Sequence, residues 1–144
     1  MIRRFDQPPE PGRRYVRRPG VYAILWRDGE VLLTHQADPV PEYQLPGGGI
    51  DAGEHPIPAL HREVREETGW TVRIQRRLGA FRRFTYMPEY DLWAEKLCTV
   101  YLAMPARPLG PPTEPGHTAV WTRPDVAARI LGNPGDRHFL STLI

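Results

Sequence analysis

The chain has 144 residues and a mass of 16.5 kDa, a length at which one domain buries roughly two thirds of the surface that its unfolded chain exposes. It contains no run of about 18 apolar residues and no apolar centre of a secretory signal near its start, which excludes a membrane-spanning helix and indicates a cytoplasmic protein. The net charge of +2 argues against general nucleic-acid binding, and the single cysteine, Cys98, excludes an internal disulfide and a cysteine-based zinc cluster.

The basic residues are almost all arginines, which cluster at residues 13–18 and 73–83, whereas Lys96 is the only lysine. Two interpretations stay open. The clusters are either solvated surface charge or they attract phosphate groups toward a site, because a guanidinium group can bind two phosphate oxygens at once.

The first elements are read from prolines, glycines and alternating apolar residues. Residues 1–14 combine charge with three prolines, which predicts a flexible N-terminal arm before a single domain over residues 15–144. Apolar runs at 20–26 and 31–33 flank a turn of the Asp-Gly type, which predicts an antiparallel hairpin. A short element at 43–45 and a glycine loop follow.

The second half of the chain begins with one helix, predicted over residues 57–68, with prolines in its first turn and Gly69 at its end. Strands are predicted at 71–74, 78–86, 97–103 and 118–122, with a proline-rich loop over 105–116. Two short helices at 124–131 and 135–143 complete the chain. Strands interleaved with helices predict an α/β domain with a mixed sheet and helices packed on its faces.

Three glutamates on the predicted helix carry the chemistry. Glu63, Glu66 and Glu67 fall within an arc of about 100°, because residues three and four apart share a helix face. A solvated face is the ordinary interpretation of an acidic helix. Here the acids repel one another near the helix C-terminus, where the dipole disfavours anions, and they border an apolar stripe formed by Ile57, Leu60 and Val64.

A bound divalent cation would remove this repulsion. Carboxylate oxygens are hard ligands that suit Mg²⁺, which takes one or two carboxylates together with water and substrate phosphates. The preceding glycines, residues 47–49, allow the backbone to come close to a metal or a phosphate.

The segment from Gly48 to Trp70 resembles the Nudix box of the Nudix hydrolases, G-x5-E-x7-R-E-U-x-E-E-x-G-U, in which U is a bulky aliphatic residue. The matching positions are Gly48, Glu54, Arg62, Glu63, Val64, Glu66, Glu67 and Gly69. Trp70 departs from the pattern, which affects local packing. Outside the box the likeness lies in the order of elements.

The resemblance implies an α/β/α sandwich with a mixed sheet, and a Mg²⁺-dependent enzyme, for which Mn²⁺ could substitute, that cleaves a diphosphate bond by water attack. It implies Glu63 and Glu67 as the main metal ligands and Glu66 as a further ligand or as the base. A backbone carbonyl of Gly47 or Gly48 would complete the metal shell.

Three further residues take roles from the same resemblance. Arg62 would orient the glutamates by salt bridges, and Glu54 would brace the metal site or hold a metal-bound water. Glu114, on the proline-rich loop, is an alternative base, although an exposed loop charge is an equally good interpretation.

The implied substrate is a nucleotide-like small molecule. Tyr43 to Pro46 resembles the entry to the box in the dinucleoside-polyphosphate and RNA 5′-pyrophosphohydrolases of the family, although Gly47 departs from that group. Aromatic residues of the following hairpin are expected either to stack on a substrate base or to pack in the core or in a homodimer. They are Phe84, Tyr86, Tyr90 and Trp93.

Other classes fit the sequence less well. Ser141 is the only serine and lies outside any G-x-S-x-G turn, the five histidines lack H-E-x-x-H spacing and are interpreted as structural or surface groups, and no G-K-[ST] follows the glycines. A catalytically inactive nucleotide-binding or regulatory module of the same fold remains the second hypothesis.

Overall fold

The computed structural model describes residues 2–144 and forms an α/β/α sandwich around one mixed sheet. The strands are β1 (Arg3–Phe5), β2 (Val16–Arg27), β3 (Glu30–Gln36), β4 (Glu42–Gln44), β5 (Gly47–Gly49), β6 (Trp70–Met87), β7 (Leu92–Pro108) and β8 (His117–Thr122). The helices are α1 (Pro56–Thr68), α2 (Pro124–Ile130) and α3 (Pro134–Ser141). Among the described residues, no helix is both long and apolar enough to cross a membrane.

The sheet runs in the order β1-β6-β7-β2-β3-β4, with β5 on β2 and β8 on β3. The pairs β1–β6 and β2–β7 are parallel and the others are antiparallel. The turn between β2 and β3 has Asp28 at φ 52° and Gly29 at φ 77°. Two left-handed residues in succession give the tight turn whose twist suits a hairpin, as the sequence predicts.

Alternation along β2 divides the core in two, because successive side chains point to opposite faces. Val21 and Ala23 pack against Leu60 and Val64 of α1. Ile24 packs on the other face, in a cluster that contains residues of α2 and α3. The helices therefore cover both faces, which confirms the predicted layers.

The structure differs from the predicted elements in four places. The two strands predicted at 71–74 and 78–86 are one long strand, β6, interrupted by register shifts at Ile74/Arg76 and Arg77/Gly79. The glycine loop contains a short strand, β5. Residues Arg3–Phe5, expected within an arm without regular structure, pair with β6.

Strand β7 also extends into the predicted proline-rich loop. Its pairing with β2 ends at Ala103, so the stretch from Met104 to Pro108 pairs only with β6. A proline lacks an N–H donor and is tolerated where a strand has a free edge. Pro105 and Pro108 therefore lie inside a strand, at a part of β7 that has a free edge and can accept them.

Helix α1 begins and ends as the sequence predicts, within one residue. Its N-cap, His55, makes no side-chain hydrogen bond, and prolines occupy the first turn, where N–H groups have no partner inside the helix. Gly69 ends the helix at φ 78°, and its N–H donates to the Arg65 carbonyl. A Cβ at Gly69 would lie 1.9 Å from the carbonyl oxygen of Gly110.

We predict that Gly69→Ala destabilises the protein by several kcal/mol more than Gly29→Ala. Both glycines have nearly the same positive φ, and the space around Gly29 is open within 4 Å, so the control isolates the left-handed backbone cost of about 1–2 kcal/mol. Urea denaturation measures both free energies of unfolding. Equal losses would show that the loop carrying Gly110 moves aside without cost.

Candidate active site

The packing of α1 against β5 places two of the three glutamates. The Glu67 side chain is buried, and its Oε1 accepts a hydrogen bond of 3.0 Å from the Gly47 N–H. A Cβ at Gly48 would lie 2.6 Å from the Glu63 carboxylate, and a Cβ at Gly47 would lie 2.1 Å from the Val21 carbonyl oxygen. Only glycine allows these carboxylates and the β5 backbone to come so close.

Arg62 holds a network of carboxylates. Its Nε donates to Glu54 at 2.7 Å, and its Nη1 donates to Glu63 at 3.0 Å and to Glu66 at 3.3 Å. The hydrogen bonds with Arg62 are the main reason that the pKa of Glu54 falls to about 2. These are the salt bridges that the resemblance implies for Arg62, and they keep Glu54 ionised.

The carboxyl groups that line the cleft, Glu63 and Glu67, have raised pKa values instead. Burial raises the pKa of Glu67 well above its usual value, and the Gly47 hydrogen bond offsets this only in part. Burial also raises the pKa of Glu63, against the lowering effect of Arg62. The charge of Glu114 adds to both shifts, so the loop acid lies within electrostatic range of the pair.

A metal ion fits this donor set. Buried hard oxygens that repel one another are stabilised by a divalent cation, and the close approach at Gly48 leaves the backbone beside Glu63. Within residues 2–144, however, no three Asp, Glu, His or Cys side chains converge closely enough to hold an ion as they stand. Glu66 and Glu63 are in contact with Arg62, so they must turn toward an ion to bind it.

The glutamates border a cleft of about 750 Å³. Glu63, Glu67 and residues 47–49 line one wall, whereas Glu66 and Glu114 do not belong to the lining. The loop after β7 docks on the helix end, because the backbone N–H groups of Thr113 and Glu114 both donate to the Glu66 carbonyl, at 2.8 and 2.9 Å. This contact brings Glu114 near the cleft.

Four cations also line the cleft, and we call this part of the lining the basic wall: Arg17, Arg18, Arg83 and Lys96. The acids Glu42, Asp51, Glu89 and Asp136 complete the charged lining. Arg83 is fixed by Asp6, which accepts a hydrogen bond of 2.7 Å from its Nε. A negative group that bridges the two walls would meet carboxylates, or an ion held by them, on one side and guanidinium groups on the other.

Three polar residues of the cleft were not singled out by the sequence. His117 Nδ1 lies 2.9 Å from Thr34 Oγ1 and 3.6 Å from Glu67 Oε2, and burial lowers its pKa. Tyr22 and Asp136 also line the cleft, and burial raises the pKa of both, that of Asp136 to about 7.

No sequence signal identifies these three residues as part of the cleft. Tyr22 is one of several large apolar or aromatic residues of β2, and the sequence does not distinguish it from the others. Asp136 resembles any acid in the first turn of a helix. The only hint is that His117 follows Glu114 by three residues, at the start of β8. The sequence-based interpretation of the histidines as structural or surface groups did not place His117 in the cleft, and its contact with Thr34 is compatible with a structural role.

The predicted substrate-binding aromatics lie elsewhere. Phe84, Tyr86 and Trp93 do not contribute to the cleft lining, and Phe84 packs on Tyr15 with ring centroids 5.0 Å apart. From the same hairpin, Tyr90 does line the cleft, with the Arg18 guanidinium 4.6 Å from the centre of its ring. A role for the first three in base binding stays a prediction.

Solved structures share the fold. A NUDIX hydrolase from Nitrosomonas europaea superposes with a TM-score of 0.73 over 89% of this chain and 88% of its own, at 19% identity. A MutT NUDIX hydrolase from Burkholderia pseudomallei gives a TM-score of 0.71 over 90% of this chain and 99% of its own, at 24% identity.

Curated relatives match in sequence over part of their length. An 8-oxo-(d)GTP phosphatase of Mycolicibacterium smegmatis is 31% identical over 94% of this chain and 43% of its own. An RNA pyrophosphohydrolase of Helicobacter pylori is 44% identical over 36% of this chain and 37% of its own. The chain spans half the length or less of these relatives. The family model of the NUDIX domain matches residues 16–143, and the chain therefore belongs to the NUDIX family of hydrolases.

Proposed function

We propose that this chain hydrolyses the diphosphate linkage of a nucleoside diphosphate derivative with the help of Mg²⁺ or Mn²⁺. One observation carries the proposal: Glu63 and Glu67 meet the glycine backbone of β5 on one wall of a cleft whose other wall carries arginines and Lys96. The two walls suit a substrate whose central part is a chain of negatively charged phosphates.

Glu67 and Glu63 would hold the ion together with a backbone carbonyl of Gly47 or Gly48, with Glu66 as a further ligand. A bound magnesium ion neutralises phosphate charge and lowers the pKa of a bound water. Arg62 keeps the carboxylates oriented, and Glu54 keeps Arg62 in place through two hydrogen bonds.

A carboxylate must accept the proton of the attacking water. Glu63 and Glu66 are the first candidates, because Glu63 faces the cleft and Glu66 lies one turn further along α1. Glu114 is the alternative on the loop. The basic wall, through Arg18 and Arg83, would bind the phosphates that do not contact the ion.

An inactive nucleotide-binding module is the competing proposal. Such a module would have no need of three glutamates that repel one another near a helix end. The names of the relatives, an 8-oxo-(d)GTP phosphatase and an RNA pyrophosphohydrolase, support an enzyme and leave the nucleotide open.

Product analysis on a panel of nucleoside triphosphates, dinucleoside polyphosphates and 5′-triphosphorylated RNA tests the proposal. We expect release of phosphate or pyrophosphate with Mg²⁺ or Mn²⁺ and none with EDTA. Binding of these compounds without any cleavage, at every metal concentration tried, would favour the inactive module.

We predict that Glu67→Gln and Glu63→Gln each lower kcat by about 10² to 10⁴, since a charged ligand or base is lost. Without metal, Glu67→Gln should be as stable as the parent or more stable. Glutamine keeps the acceptor for the Gly47 N–H and removes a buried charge.

Mg²⁺ should raise the Tm of the parent and not that of Glu67→Gln, because only a ligand that binds the native state stabilises it. The matched control is Arg65→Gln, an exposed position on the same helix. Near-parent turnover of Glu67→Gln would contradict the assignment, and a large metal-free loss of stability would indicate a structural role instead.

The burial of Asp136, which lines the cleft, predicts that the stability of the protein depends on pH. Its side chain is 3% exposed and accepts one hydrogen bond, of 3.4 Å, from the Leu45 N–H. Its pKa rises from 3.8 to about 7 on folding. The native state therefore binds one more proton than the unfolded state between these values, and stability falls as pH rises across this window.

We predict that Asp136→Asn removes this slope and is more stable than the parent at pH 8, by a few kcal/mol at most. Asparagine keeps the acceptor for Leu45. Chemical denaturation from pH 4 to pH 8 in EDTA measures the difference, with the exposed Asp28→Asn as the control. A constant difference between Asp136→Asn and the parent at all pH values would refute the assigned titration.

A further inference from the structure

The sheet face that carries α1 continues beyond the helix. Along β7, alternation places Leu97, Glu95 and Trp93 on the same face as Ala103, which packs in the α1 cluster. Cross-strand partners share a face, and the register pairs Arg82 with Leu97, Phe84 with Glu95, Tyr86 with Trp93, Arg17 with Glu95 and Arg4 with Arg82.

We call this surface the arginine–aromatic face. It comprises Arg4, Arg13, Tyr15, Arg17, Arg82, Phe84, Tyr86, Trp93, Glu95 and Leu97. The described part of the chain places no helix over it, and Tyr86 and Trp93 are 40% and 36% exposed.

Its aromatic rings are interleaved with guanidinium groups. The Arg13 guanidinium lies 3.7 Å from the centre of the Trp93 ring, and the rings of Tyr86 and Trp93 are 5.3 Å apart. Tyr15 contacts both Phe84 and Trp93, with ring centroids 5.0 and 6.3 Å apart. Flat aromatic and guanidinium surfaces are the groups on which unpaired bases stack.

The face carries excess positive charge. Glu95 is flanked by Arg17 and Arg82, each at 3.7 Å, and Arg13 pairs with Glu10 at 3.1 Å. The Nε of Arg82 is buried without a hydrogen-bond partner. A second copy of the chain docked here about a two-fold axis would set two surfaces of the same net positive charge against each other, so the charge favours a polyanion over a homodimer.

Arg17 joins this face to the cleft. It lines the cleft beside Arg18, and it also lines a shallow depression of about 300 Å³ with Ile2, Arg82, Glu95 and Leu97. Arg17 is therefore the residue that the two surfaces share, and a polymer that leaves the cleft beside Arg17 would reach the arginine–aromatic face around the end of β2.

We propose that this face binds the single-stranded RNA of a substrate whose 5′ end carries the diphosphate that is cleaved. The inference rests on the proposed function and specifies its substrate class. Arginines, among them Arg4 and Arg13, would contact the phosphates that follow the first nucleotide, and Trp93, on which Arg13 packs, would stack on a base. Such binding is confined to one face and is compatible with the small net charge of the whole chain.

The test compares GTP with a 5′-triphosphorylated hexaribonucleotide that begins with G. In the double variant Arg4→Gln/Arg13→Gln we expect kcat/KM on the oligonucleotide to fall about tenfold, the effect of losing charged hydrogen bonds to phosphate. The slope of log kcat/KM against log salt should become shallower by about 0.7 per lost contact. Turnover of GTP should stay unchanged, because neither arginine lines the cleft.

The matched control is Arg65→Gln/Arg129→Gln, which removes two exposed arginines from α1 and α2 and should affect neither substrate. An equal loss on both substrates, or no loss on the oligonucleotide, would overturn the proposal. The proposal would also be overturned if sedimentation showed a concentration-dependent dimer of the parent that the Arg4→Gln/Arg13→Gln variant does not form.

A second measurement separates this inference from the proposed function. If the parent cleaves neither substrate, the anisotropy of the same oligonucleotide, labelled at its 3′ end and mixed with protein in EDTA, still reports on the face. Binding that weakens about tenfold in the Arg4/Arg13 variant alone supports the inference. Absent binding, or equal binding by all variants, refutes it.

Discussion

The close packing of α1 against the glycine strand β5 is the constraint on which the site depends. At Gly47 and Gly48 a Cβ would collide with the Val21 carbonyl or with the Glu63 carboxylate, so the backbone comes near enough for the Gly47 N–H to reach Glu67. The same contact buries Glu67 and raises its pKa. One contact thus determines both the packing of α1 on β5 and the environment of the Glu67 carboxyl group. A side chain at position 47 or 48 would disturb both.

The helix end shows how the protein tolerates acids where a helix dipole disfavours them. The N–H groups of Thr113 and Glu114 donate to the Glu66 carbonyl, and the Leu109 N–H donates to that of Gly69. These donors satisfy carbonyls that would otherwise concentrate negative charge beside the glutamates. The proline-rich loop therefore stabilises the acidic helix end and also brings Glu114 near the cleft.

How far the sequence predicts the structure depends on the range of the interactions. Helix α1, its end at Gly69 and the β2–β3 hairpin follow from local signals, and the structure confirms them. Strand β5 and the extension of β7 to Pro108 depend on which neighbours the sheet supplies, and local glycine or proline signals predict loops there. The N-terminal strand β1 likewise forms only because β6 offers an edge.

The same distinction holds for the site. The three glutamates and Arg62 lie on one helix, so their relation can be predicted from helical periodicity. His117, Tyr22 and Asp136 come from separate elements that meet only in the folded cleft. The aromatic residues expected at the substrate lie close together in the sequence but do not line the cleft. Alternation and sheet register place Phe84, Tyr86 and Trp93 on the arginine–aromatic face instead.

The distribution of charge then links the two surfaces. Arg62 is engaged with Glu54, Glu63 and Glu66, so it is not free for phosphate, and Arg83 is held by Asp6 at the end of β1. Arg17 differs, because its side chain is 71% exposed and its salt bridge, with Glu95, is a long one of 3.7 Å. A guanidinium group that remains largely solvated keeps its capacity to bind a phosphate. In the proposed complex, Arg17 would therefore be the point at which a substrate longer than one nucleotide leaves the cleft.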